Sequence, residues 1–219
     1  MSVLSTSIAR PCTPKTPLRV AVLASGSGSN LQALLDDVAR GDRSFSIVVV
    51  IVNVAGAGAI ARAEAAHVPA VCVPHTDLTR EAHERAILGV LVAYDVELVV
   101  LAGYMRVVTS TLLSSFVRAV INVHPALLPS FPGLHGARQA LEHGCRVAGC
   151  TVHLVDGGVD TGPIIAQAPV PVLYDDDEAT LQRRIQVEEH RLLPRCVEDI
   201  AAGRVVVVEG RVRLRDQPR

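Results

Sequence analysis

The 219-residue chain has no tryptophan, and aromatic residues make up only 3% of it. Platforms on which single-stranded nucleic acid stacks are built from such rings, so their scarcity counts against that class of partner. Charge counts against it too. The 21 Lys and Arg and the 22 Asp and Glu leave a formal net charge of −1, and no basic block exceeds a few residues. Neither nucleic acid nor an anionic membrane surface is expected as a partner. Hydrophobic residues reach 49%, yet no apolar run is long enough to cross a bilayer. The cysteines (Cys12, Cys72, Cys145, Cys150, Cys196) include no Cys-x-x-Cys pair, which argues against a zinc site or a disulfide framework. Scattered thiols fit a reducing cytoplasm, the expected location.

Residues 1–17 carry Arg10, Lys15, several Ser and Thr, no acid, and Pro11, Pro14 and Pro17. They read as a disordered extension. Residues 18–219 read as one domain, long enough to bury a large core. Apolar runs at 19–24, 46–53, 71–73 and 95–102 alternate with helical stretches up to residue 123. That alternation predicts an α/β fold with a doubly wound, mostly parallel, Rossmann-like sheet. In such sheets ligands sit beyond the carboxyl ends of the strands. Arg204 to Val208 and Arg211 to Leu214, separated by Glu209-Gly210, predict an antiparallel C-terminal hairpin. Its edge, able to pair between subunits, is the basis for expecting a homodimer.

The densest run of chemically capable residues is Ile121-Asn122-Val123-His124-Pro125-Ala126-Leu127-Leu128-Pro129, continuing through Phe131-Pro132-Gly133-Leu134-His135-Gly136. Val120, Ile121 and Val123 read as a short buried strand. Pro125, Pro129 and Pro132 follow, and the chain can then continue neither as strand nor as helix. On a strand Asn122 and His124 point to the same side. A carboxamide and an imidazole are thereby presented together against a stiff loop. Such a pair either takes part in chemistry or simply hydrogen-bonds the loop closed, and these residues alone leave both open.

Two glycine-rich turns follow strands. Ser25-Gly26-Ser27-Gly28-Ser29-Asn30 leads into a helix carrying Leu31, Leu34, Leu35 and Val38, an arrangement that aims backbone N–H groups at an anion such as phosphate. The third glycine of a dinucleotide fingerprint is missing there, since Leu31 occupies its place. Gly56-Ala57-Gly58-Ala59-Ile60-Ala61, with Asp77 about 20 residues on, is the better formal match. It sustains a rival reading as a nicotinamide- or flavin-dependent oxidoreductase. Thr79 is a predicted N-cap for a helix that begins near Arg80. Further on, Gly149 to Val155 alternates like a strand and opens into Asp156-Gly157-Gly158-Val159-Asp160-Thr161-Gly162-Pro163, a shaped loop of the kind that carries function. Asp175 to Glu178 opens a long helix that contains Glu188-Glu189-His190.

Asn122-Val-His-Pro-Ala-Leu-Leu-Pro129 followed by Phe131-Pro-Gly-Leu-His135 resembles the signature of the folate-dependent formyltransferases, nearest to the phosphoribosylglycinamide formyltransferases of purine synthesis. The likeness covers roughly residues 18–204. It implies 10-formyltetrahydrofolate as co-substrate and glycinamide ribonucleotide as formyl acceptor, with no metal and no NAD. By the same likeness Asn122, His124 and Asp160 are the catalytic residues. Gly28, Ser29, Asn30, Arg80 and Glu189 hold the phosphoribosyl group. Tyr104, Met105, Arg106 and Val107 line the folate pocket with Asn122, Asp156 and Asp160, so the likeness divides the domain into a phosphate-binding half (18–103) and a folate-binding and catalytic half (104–219). Asp160 is preferred over Asp156 for the chemistry because Asp160-Thr161-Gly162-Pro163 is the part that matches. Ala126 stands where the family usually has serine, and Ser25-Gly26-Ser27-Gly28 is a slightly different lead-in.

Related reactions separate by accessory domains. Methionyl-tRNA formyltransferases add a C-terminal domain and formyltetrahydrofolate hydrolases a leading one, so the length of this chain sets the expectation of the purine enzyme. A non-enzymatic ligand-binding domain would tolerate loss of Asn122, His124 and Asp160.

Overall fold

The computed structural model describes residues 6–7 and 17–215. In chain order its elements are β1 (Thr6–Ser7), β2 (Leu18–Ala24), α1 (Ser29–Ala39), β3 (Phe45–Val52), α2 (Gly58–Ala65), β4 (Ala70–Cys72), α3 (Arg80–Ala93), β5 (Leu98–Leu101), α4 (Ser110–Leu113), β6 (Val120–His124), α5 (Gly136–Glu142), β7 (Val147–Leu154), β8 (Ile164–Pro171), α6 (Glu178–Ala201), β9 (Val205–Val208) and β10 (Arg211–Leu214).

Seven strands form the main sheet in the order β4-β3-β2-β5-β6-β7-β8. Pairings from β4 across to β6 are parallel, and β6–β7 and β7–β8 are antiparallel. The predicted mostly parallel sheet is therefore present, with two antiparallel strands closing one side. The chain runs outward from β2 to β3 and β4, then returns to lay β5 and β6 on the other flank. Between β2 and β5 the winding reverses, and a crevice opens there beyond the carboxyl ends of the strands.

Continuous apolar runs fit strands buried on both faces. Leu18, Val20, Val22 and Ala24 of β2 pack with Leu31 and Leu34 of α1 and Leu181, Ile185 and Leu193 of α6. Ala21 and Leu23 face the other way, onto Ile87 and Leu91 of α3 and Leu112 of α4. Each such side chain contributes about 1.5–3 kcal/mol when fully buried. The division expected between residues 103 and 104 falls in the turn after β5, and β5 pairs with β6 across it.

The terminal hairpin turns through Glu209 (φ 51°) and Gly210 (φ 75°), as a two-residue loop between twisted strands requires. β9 also pairs with β1, so the free hairpin edge belongs to β10. Thr6 and Ser7 thus form a strand. The rest of the segment expected to be a disordered extension lies outside the described residues, apart from Pro17. At the edge of the main sheet β8 carries Pro169 and Pro171, which withhold donors and discourage further strand addition. Asp177 caps α6 by accepting from Thr180 N–H while the Thr180 hydroxyl accepts from Asp177 N–H. No helix is long and apolar enough to cross a membrane among the described residues.

One buried carboxylate fixes the end of the crevice. Glu84 on α3, 3% exposed, accepts from Thr109 N–H and Thr109 Oγ1 at 2.6 Å each and from Leu112 N–H at 3.1 Å. It ties the first turn of α4 to α3. Removing it leaves buried donors unpaired, and bonds to charged groups contribute about 1.5–3 kcal/mol each. Glu84→Ala is expected to destabilise the fold by ~2–4 kcal/mol and Glu84→Gln by less, read as the shift in urea midpoint at constant slope.

Candidate active site

The first glycine-rich turn leaves β2 and enters α1 through Gly28, whose φ of 74° puts it in the left-handed region. No side chain caps α1, so its leading N–H groups are left for an anionic ligand. Gly28 has a second reason to be glycine: a Cβ there would lie 2.8 Å from Ala59 Cα. The neighbour is the second glycine-rich segment. Ala59 N–H donates to Gly26 O at 3.2 Å, and Arg62 Nε–H donates to Ser27 O at 2.7 Å. Gly56 to Ala61 therefore buttresses the first loop and does not line the cavity described next.

That cavity, about 590 Å³, lies over the carboxyl ends of β2, β5 and β6. Arg80, at the first turn of α3 behind the predicted Thr79 cap, lines the cavity from the α3 side of the sheet, and Gly28, Ser29 and Asn30 line one end. Glu189 reaches the same end from α6, and its carboxylate accepts from Asn30 Nδ2 at 2.9 Å across 159 positions of sequence. Burial pushes the Glu189 carboxyl above the ordinary range, against a smaller opposing pull from Asn30. Among the described residues, none donates to the buried Asn30 Oδ1.

The other end is formed by the turn after β5. Gly103 adopts φ 70°, and Tyr104, Met105, Arg106 and Val107 all line the cavity. Met105 is 68% exposed, so it is a rim residue and not core packing. Burial pushes the Tyr104 phenol up to about 12, which keeps its proton in place at neutral pH.

Between the two ends stands the predicted pair. Asn122 and His124 occupy one face of β6, while Ile121 and Val123 pack on the other. His124 Nε2–H donates to Phe131 O at 2.8 Å, and its Nδ1 faces Asp160 Oδ2 at 3.3 Å. With oxygens at both nitrogens, the imidazolium form satisfies both contacts as a donor. Asn122 Nδ2–H donates toward Asp160 Oδ1 at 3.4 Å, and Gly133 N–H donates to Asp160 Oδ2 at 2.8 Å. Burial would raise the Asp160 carboxyl, but hydrogen bonding from His153 and Gly133 and the charges of His124 and His153 together hold it below the ordinary range. Asp160 sits at φ 54°, a left-handed conformation that a non-glycine residue keeps only when its surroundings impose it. They do so closely: a Cβ on Gly162 would run into Leu154 O.

His153 is the residue that reading the sequence missed. It lies opposite Asn122 in the β6–β7 ladder, with Nε2 3.2 Å from Asn122 Nδ2 and 3.5 Å from Asp160 Oδ1. Its Nδ1–H donates to Leu154 O at 2.8 Å, which leaves Nε2 facing Asn122 and Asp160. The available signal was polar alternation, Thr151 and His153, within an apolar strand; the register was not readable. Thr151 closes the Pro-rich loop, donating to Ala126 O and accepting from Leu128 N–H. Asp156 departs from expectation. Its carboxylate accepts from Gly158 N–H at 3.0 Å and Thr161 Oγ1 at 2.6 Å, and it is not among the cavity residues. A short carboxylate facing donors two and five residues ahead is held by its own loop. Every other expected site residue lines the cavity.

The fold recurs elsewhere. Residues 18–197 match the formyl transferase family. A phosphoribosylglycinamide formyltransferase of Mycobacterium tuberculosis is 49% identical over 196 residues, covering 89% of this chain and 90% of that protein. The crystal structure of glycinamide ribonucleotide transformylase 1 from Symbiobacterium toebii superposes with a TM-score of 0.90 at 49% identity, covering 91% of this chain and 95% of the other. A formyltetrahydrofolate deformylase from Pseudomonas syringae shares the fold at a TM-score of 0.87 but only 28% identity, over 93% of this chain and 67% of the other. With an anion-ready helix start, an Asn-His-Asp cluster and these likenesses in agreement, the chain belongs to the formyl transferase family.

Proposed function

We propose that this chain is a cytoplasmic enzyme of purine synthesis that moves the formyl group of 10-formyltetrahydrofolate onto the amine of glycinamide ribonucleotide. The observation that carries this reading is the joint occupancy of one cavity. A helix start built for phosphate and an Asn30–Glu189 pair suited to ribose hydroxyls share it with Asn122, His124 and Asp160. The related deformylase activity needs only water and the folate, and gives no reason for the phosphoribosyl end. Among the described residues no group of three His, Cys, Asp or Glu is placed to hold a metal ion.

The acceptor amine attacks the formyl carbon, a C–N bond forms, and the carbonyl electrons move onto oxygen. Asn122 Nδ2 and His124 Nδ1 both point toward the carboxylate of Asp160. An incoming formyl oxygen takes a share of these already aimed donors, the arrangement that stabilises an oxyanion without reorganisation. The ionised Asp160 stands beside His124 Nδ1 at 3.3 Å. It also stands where it can carry the proton lost by the amine toward the folate nitrogen as the old C–N bond breaks. Tyr104, Met105, Arg106 and Val107 wall the folate side.

In an assay with 10-formyltetrahydrofolate, turnover is expected only when glycinamide ribonucleotide is added; release of formate without it would identify a hydrolase. Asn122→Ala is expected to lower kcat by roughly 10²–10³-fold, as loss of one oxyanion donor does. Asp160→Asn and His124→Ala are expected to lose at least ~10²-fold, and wild-type rates in either would remove the triad from the mechanism.

Glu189 gives a pH test of the ribose end. Its folded carboxyl is raised, so the stabilising contribution of the protonated form is complete below the unfolded value of about 4.3 and is lost as pH rises through the folded value. Without ligand, Glu189→Gln is expected to be more stable than the wild type at pH 8, with the gap in Tm closing toward pH 4. The same variant is expected to raise KM for the ribonucleotide while sparing that for the folate.

A further inference from the structure

Ser25, the first residue after β2, does not line the cavity, yet it touches the framework of both ends. Its N–H donates to Gly103 O at 3.1 Å. Its hydroxyl accepts from Met105 N–H at 2.8 Å and donates to Asn53 Oδ1 at 2.7 Å. One serine thus bonds to both ends of the Gly103-Tyr104-Met105 turn on the folate side. The next residue in the chain, Gly26, begins the loop on the ribonucleotide side, and its carbonyl is held by Ala59 N–H at 3.2 Å. Asn53, just beyond β3, is only 4% exposed, and its own carbonyl accepts from His75 Nδ1–H at 2.8 Å. The brace therefore ends on a buried side chain whose own carbonyl is tied to His75.

A hydroxyl at this place does what few groups can. It has one proton to give and lone pairs to accept with, and both capacities are used, one on the buried Asn53 side chain and one on the backbone N–H of the exposed Met105. Any shift of the Met105 backbone is passed through Oγ to the residue that starts the phosphate loop, and the reverse holds. We propose that Ser25 is a positioning residue that couples the two substrate ends, so that filling one tightens the other. This rests on the reading that the two ends take the ribonucleotide and the folate.

Coupling of this kind is a single free energy and acts equally in both directions. Binding of a non-transferring dideaza folate analogue, measured with and without saturating glycinamide ribonucleotide, reads it directly. In the wild type the ribonucleotide is expected to tighten the analogue by about 5-fold or more, within the usual range for coupled sites. The converse titration is expected to give the same factor. In Ser25→Ala the factor is expected to fall to near one while Tm stays within a few degrees and each ligand alone binds within about threefold of wild type. Ser25→Thr, which keeps the hydroxyl, is expected to restore the coupling. Should alanine fail to fold, Ser25→Cys, close in shape and a weak hydrogen-bonding group, is expected to retain the fold and lose most of the factor. The proposal is overturned if Ser25→Ala or Ser25→Cys keeps the wild-type factor, if weakening falls on one ligand alone, or if a wild type that turns over shows no coupling. A wild type that transfers no formyl group to the ribonucleotide would instead overturn the functional reading.

Discussion

The chemistry of this protein hangs on the antiparallel ladder between β6 and β7. Pairing places Asn122 opposite His153 and His124 opposite Thr151, so an amide, two imidazoles and the hydroxyl that closes the Pro-rich loop share one side of the sheet. Side chains alternate with a period of two, and a slip of one residue in either strand would turn that strand's pair into the hydrophobic layer. What prevents the slip is the opposite face. Ile121 and Val123 of β6, with Cys150, Val152 and Leu154 of β7, are buried against the α1–α6 layer. Apolar packing on one face thereby sets polar geometry on the other.

Two carboxylates, Glu189 buried and Asp160 half-buried, show how burial and local donors together decide a protonation state. Glu189 loses hydration and gains a single neutral donor, Asn30, so its acid form is favoured. Asp160 also loses hydration, but a backbone N–H, an amide and two imidazoles surround it, and its ionised form is favoured. The difference suits their places. A carboxyl that resists ionising can both give and accept at a diol, while a carboxylate that stays ionised can hold an imidazolium and receive a proton.

The sheet, the helices and the crevice were legible in the sequence because they follow from periodicity and from the strand-to-helix alternation of the chain. The runs that read as buried strands are buried strands, and Thr79 and Glu209-Gly210 act where capping and turn rules put them. Asn122, His124 and Asp160 were legible as residues, and their approach to within hydrogen-bonding range agrees with the likeness on which they were chosen. His153 was not, because antiparallel register depends on contacts that no single strand displays. Asp156 was misplaced for a related reason. Whether a loop carboxylate faces its own backbone or a ligand is settled by local φ values, here a left-handed Asp160 and a glycine at 162 that admits no side chain. The short helix α4 and its Glu84 anchor were likewise invisible, being held by tertiary hydrogen bonds and too short for a periodic signal.

The second glycine-rich segment shows how a motif can be real and still mean something else. Gly56 to Ala61 has the spacing of a dinucleotide fingerprint because it meets a similar constraint, close approach of backbone at a helix entry. The approaching group here is the neighbouring loop itself. A Cβ on Gly28 would strike Ala59, one on Gly58 would press on Ser27 O at 3.1 Å, and Ala59 N–H holds Gly26 O. Two small-residue turns stacked in this way make the first one stiff from behind, leaving its forward N–H groups open to the cavity. A loop that binds phosphate through backbone groups has no side chain to correct its aim, so its precision must come from such support. The shape of the proposed anion site is thus supported by a segment that does not line the cavity.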